Sequence, residues 1–141
     1  MRKQRLFTVD EVNALIPKLE ALMEQLQRKA RAVREEVQEL SRTSDQPVDS
    51  IDTSKILEQR PELRVVLGEI EKLVDEIESF GGEFKGIDLG LVDFEAERDG
   101  DLVLLCWQYG EKEITHYHTP EAGFAGRKPL DPRIGRPRYL Q

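Results

Sequence analysis

FTVDEVNALIPKLEALMEQLQRKARAVREEVQEL, residues 7–40, decides the fold. Thr8 followed by Glu11 is a capping box, in which the hydroxyl accepts from the amide three residues on and the Glu side chain reaches back. Leu6 or Phe7 before the cap and Val12 after it form the matching hydrophobic staple. Apolar residues then recur at Leu15, Leu19, Leu22, Leu26, Val33, Val37 and Leu40, a coiled-coil-like stripe with charged residues between. The pattern predicts one helix over 9–43, about 50 Å long at ~1.5 Å per residue. Pro17 removes a backbone donor inside it, and a kink is expected there.

Working outward, TSDQPVDSIDTS is polar and turn-forming, and 44–54 reads as a flexible loop. A second stripe, Leu63, Val66, Ile70, Leu73, Ile77 and Phe80, predicts a helix over 55–80. Pro61 marks its first turn and Gly81-Gly82 its end. Two striped helices joined by a polar loop imply an antiparallel hairpin. Beyond it the period changes from helical to alternating. Asp99-Gly100 is a strong hairpin turn, Leu102 to Trp107 is a short apolar run buried on both faces, and Glu113 to His118 alternates. A three-stranded antiparallel meander is expected over about 90–118, with a fourth strand near 83–87. Residues 119–141 read as an ordered loop and an extended basic arm. The expected class is α+β: one domain, 1–141, with the hairpin packed on a small sheet at 83–118, because so few strands do not stand alone.

Charge narrows the functions. The 141 residues carry a formal −7, placed as +3 over residues 1–5, −14 over 6–126 and +4 over 127–141. An acidic body with basic ends is poorly built to follow a phosphate backbone, so nucleic acid is not an expected partner. The ends suit the acidic body of a neighbouring subunit instead. No run approaches the ~18 apolar residues of a membrane span. The N-terminus lacks a secretory h-region, and the single cysteine, Cys106, points to a reducing cytoplasm.

Several motifs in order resemble one family. FTVDEVNALIP (7–17), GLVDF (90–94), Leu105-Cys106-Trp107, Gly110-Glu111, the Tyr117-His118 pair and EAGFAGR (121–127) look like domain of unknown function 2203, over residues 6–130. The resemblance implies a soluble bacterial protein with a helical hairpin and a small sheet. It brings no catalytic residue. His118 fits its pattern and His116 does not.

Three sets of residues are chemical candidates. His116 and His118, two apart on a strand, leave the same face about 6.5–7 Å apart. With Glu121 on the loop or Asp93 from GLVDF they offer a divalent metal a mononuclear site with an open position. The blander reading, which weighs more, has His118 hydrogen-bonded to the following loop and His116 half exposed. In Glu121–Arg127 the glycines let backbone approach a ligand, and Arg127 offers a fork for a carboxylate or phosphate. The structural alternative plugs Phe124 into the helix–sheet core and pairs Arg127 with Asp93. Cys106 has histidines nearby in sequence, but inside Leu-Leu-Cys-Trp it reads as an inert core residue. Trp107 and Tyr109 are core or sheet-face residues. The favoured expectation is a non-enzymatic interaction or oligomerisation module, a homodimer through the hairpin. The alternative is a metal- or ligand-binding protein, or metal-dependent hydrolase, built on His118, Asp93, Glu121 and Arg127.

Overall fold

The computed structural model describes residues 5–134. The first helix, α1 (Val9–Ser44), starts from a complete capping box: Thr8 Oγ1 accepts from the Glu11 amide, and the Glu11 carboxylate accepts from Thr8 N–H. Phe7 and Val12 are both buried in one apolar cluster. α1 passes through Pro17 as one element and buries Val12, Ile16, Leu19, Leu22, Met23, Leu26 and Leu40.

The connection expected to be flexible is a 3-10 turn at Val48–Ser50, followed by a short helix, α2 (Thr53–Gln59), that Asp52 caps. The helix expected over 55–80 is correspondingly two helices. Arg60 leaves the helical region at φ −131 and ψ 70, because the ring of Pro61 crowds the residue before it. The longer piece, α3 (Glu62–Ser79), follows. Glu36 pairs with Arg60, Lys29 with Glu69, and Lys18 lies over the Phe80 ring. These contacts run in opposite directions along α1 and α3, so the two helices are antiparallel.

The sheet has five antiparallel strands in chain order: β1 (Glu83–Gly86), β2 (Leu91–Arg98), β3 (Asp101–Gln108), β4 (His116–His118) and β5 (Lys128–Pro129). Asp99 and Gly100 turn the central hairpin with φ 52 and 88, the doubly left-handed turn that matches strand twist. β4 is shorter than the alternation over 113–118 suggests. The Ile114 N–H is taken by Asn13 Oδ1 on α1, which pulls the chain toward the helix before pairing begins. The fifth strand comes from the segment read as an arm: Lys128 and Pro129 return to the edge of β4, where proline's missing donor costs little. Ile134 then bridges Arg98 and is buried. Arg133, from the basic end, pairs with Asp99 and Asp131 of its own chain. The rest of both basic ends, 1–4 and 135–141, lies outside the described residues.

Strand alternation gives the sheet two faces. Val92, Phe94, Ala96, Val103, Leu105 and Trp107 join the helix core, with Phe94 edge-on to Phe7. The other face carries Leu91, Asp93, Leu104, Cys106, His116 and His118, by the register Asp93↔Cys106, Leu104↔His118 and Cys106↔His116.

Candidate functional site

The outward face of a sheet covered by helices on one side is normally solvated. Here Asp93, Cys106 and His118 are 4%, 1% and 3% exposed. A pocket of about 260 Å³ opens beside them, walled by Lys85, Leu91, Leu104, Pro120, Gly123 and Phe124 as well as these three. Strand pairing places Asp93 directly opposite Cys106, and His118 reaches the same spot from β4.

His118 Nε2 stands 3.0 Å from Asp93 Oδ2, and Nδ1 stands 2.8 Å from the Thr119 carbonyl oxygen. A carbonyl only accepts, so Nδ1 carries a proton and donates it. Nε2 then needs either a second proton between it and Oδ2 or a cation in the same place. The other carboxylate oxygen, Asp93 Oδ1, is buried and has no hydrogen-bond partner among the described residues. Burial pushes the Cys106 thiol up to about 12; the negative charge of Asp93 and a thiol hydrogen bond to its carboxylate add to this, while Arg127 opposes it. One oxygen, one sulfur and one nitrogen from the three residues lie within 4.8 Å of one another. Zinc bond lengths place tetrahedral ligands about 3.3–3.7 Å apart, so a modest inward movement closes the set on an ion.

Behind this cluster Arg127 donates to the Cys106 carbonyl and to both carboxylate oxygens of Glu111. Glu111 also accepts from the Gln108 amide and the Thr115 hydroxyl, and its carbonyl accepts from Trp107 Nε1. The turn, the C-terminal loop and the centre of β3 are thereby tied together.

The family model of the uncharacterised conserved proteins DUF2203 matches residues 5–130. The chain belongs to this family. No curated protein and no solved structure matches it.

The sequence-derived candidates of this DUF2203 protein fall into different places. Asp93 and His118 meet. His116 contributes no ligand atom to the cluster; it is partly exposed, with Nδ1 at 2.8 Å from the Thr115 hydroxyl. Glu121 is exposed on the loop and is not among the residues walling the pocket. Arg127 pairs with Glu111, not Asp93, because the turn at Gly110 carries Glu111 to the guanidinium. Phe124 does not enter the helix–sheet core: it sits across the opposite face, 37% exposed, against Arg127 and the pocket. Cys106, read as inert core, is buried and protonated as expected, yet it joins Asp93 and His118. A signal for it was available: in two strands joined by a two-residue turn at Asp99-Gly100, register alone puts Cys106 opposite Asp93.

Proposed function

We propose that this protein binds one divalent transition-metal ion through Asp93, Cys106 and His118, with one coordination position open to the neighbouring pocket. The observation that carries the reading is the mutual approach of three ligand-type atoms, one each from Asp93, Cys106 and His118, where the Asp93 carboxylate also has a buried oxygen, Oδ1, with no hydrogen-bond partner among the described residues. Three further points support it. The Thr119 carbonyl fixes the tautomer that presents Nε2, the usual outer-shell arrangement of a metal-bound histidine. A carboxylate, a thiolate and a neutral imidazole together balance a divalent charge, which a buried site requires. The mix of sulfur, nitrogen and oxygen suits zinc, and three protein ligands beside a pocket are the catalytic kind of site. The open position would hold water or substrate, and the metal would act as a Lewis acid on it.

Cysteine–histidine nucleophilic chemistry is disfavoured by the same geometry. Both ring nitrogens of His118 are engaged, so His118 is not a free base for a thiol held near 12.

The test is elemental analysis of protein purified without chelator, followed by Co²⁺ titration of stripped protein. Stoichiometric metal and a thiolate-to-Co²⁺ charge-transfer band, both abolished in Cys106→Ala and Asp93→Ala, are expected. Folded wild-type protein that binds no metal and shows no such band overturns the reading. A thiolate ligand also fits the reducing cytoplasm of a bacterium.

A second reading, a homodimer through the distal hairpin, is favoured by one observation: Val65, Leu67 and Val48 are 66%, 37% and 46% exposed on the helices and their connection. A monomer at all concentrations in sedimentation would remove it.

A further inference from the structure

We infer that the pocket above Asp93, Cys106 and His118 takes a small carboxylate, held by its charge at Lys85 and by a second oxygen at the open metal position. The inference deepens the metal reading and rests on it.

Size comes first. At about 260 Å³ the pocket lies below the ~300–1,000 Å³ range of drug-sized sites, so a molecule of metabolite size fills it. Its walls are divided in character. Leu91 on β2 and Leu104 on β3, one on each side of the Asp93–Cys106 pair in the register, supply apolar surface, and Pro120 and Phe124 supply more from the loop. Lys85 is the one cationic residue among the lining residues. A ligand matching these walls has an apolar middle, one anionic end and one metal-seeking end.

Lys85 is available for this role. It pairs with Glu83 at 3.0 Å, but the two side chains are 40% and 63% exposed, and ion pairs so exposed contribute little. The Glu83 hydrogen bond raises the Lys85 pKa, and Asp93 adds to the rise, so the ammonium stays charged. Its field also reaches into the pocket as far as Asp93. The metal with its three ligands is neutral overall and does not repel an anion.

A carboxylate fits better than a phosphate. One ammonium is a single point charge, whereas phosphate sites collect several donors or a guanidinium fork. The nearest fork, Arg127, is ion-paired with Glu111 through Nη2 and is not among the residues walling the pocket.

The experiment uses the full chain loaded with one equivalent of Co²⁺, titrated with glycolate, butyrate and inorganic phosphate while the visible spectrum is read. Glycolate, with a carboxylate and a hydroxyl, should perturb the bands saturably and more tightly than phosphate. Lys85→Gln, a change at an exposed position, should give the same Co²⁺ spectrum but weaken glycolate by about fivefold. If no Co²⁺ band forms, the metal reading fails and this inference falls with it. If the band forms but carboxylates leave it unchanged, the inference alone is wrong. Phosphate binding as tightly as glycolate, or Lys85→Gln binding as wild type, likewise refutes it.

Discussion

Raising the pH of the metal-free protein should destabilise it through one side chain. Cys106 is 1% exposed, and its thiol is pushed from the ordinary 9.0 to about 12. Below pH 9 the thiol is protonated in both folded and unfolded chains and makes no difference to stability. Between 9 and 12 only the unfolded chain loses the proton, so ionisation favours unfolding and stability falls as pH rises. The slope approaches ~1.4 kcal/mol per pH unit, which amounts to a loss of about 1 kcal/mol at pH 10 and more above it. Urea denaturation at pH 7, 8, 9 and 10 measures it, on wild type and on Cys106→Ala. Lysines and tyrosines titrate in both proteins, so the difference between the two curves isolates the thiol. Cys106→Ala should be less stable at pH 7, from lost packing, and should close about 1 kcal/mol of that gap by pH 10. In the folded state at pH 8 the thiol should also alkylate roughly a thousandfold more slowly than in urea. Parallel curves for the two proteins, or equal alkylation rates, would refute the argument that burial keeps this thiol protonated. Saturating metal should abolish the alkaline difference, since a coordinated thiol is already deprotonated.

Other perturbations follow from single contacts. Thr8→Ala removes the hydroxyl that accepts from the Glu11 amide and should cost about 1 kcal/mol in urea denaturation. Gly90→Ala should cost about 1–3 kcal/mol, because φ is +67 and a Cβ there would stand 2.6 Å from Tyr109 Cβ; the thermal midpoint reads this directly. Arg127→Lys keeps the charge, but its side chain is one bond shorter and withdraws the nitrogen from the place where Nη2 meets both Glu111 oxygens and the Cys106 carbonyl. A loss of about 1.5–3 kcal/mol is expected, with faster amide exchange over 119–127 as a local readout.

The local features were legible in the residues because short-range physics sets them. The Thr8–Glu11 box, the two apolar stripes, the Asp99-Gly100 turn and the stop at Gly81 each depend on neighbours within a few positions, and each is present. The break at Arg60 was equally local, since Pro61 forces it. That Asp93 and His118 stood out was chemistry, since buried polar residues inside apolar strands require partners.

Tertiary structure decided which partners they have. Whether Arg127 meets Asp93 or Glu111 depends on how the turn at Gly110 and the loop at Gly123 aim two remote segments. No periodicity encodes that direction. Whether the outward face of the sheet is wet or dry depends on the C-terminal loop returning to pair with β4. Composition shows four prolines and three glycines in 119–141, and says nothing of where that segment lands. Cys106 shows the division most plainly. Its own neighbours, Leu105 and Trp107, make it an apolar core residue, whereas the strand beside it supplies Asp93 and the strand beyond supplies His118. A ligand set assembled from three strands exists only when the register exists, because its atoms are brought together by backbone hydrogen bonds between distant segments and by no pattern within any one of them.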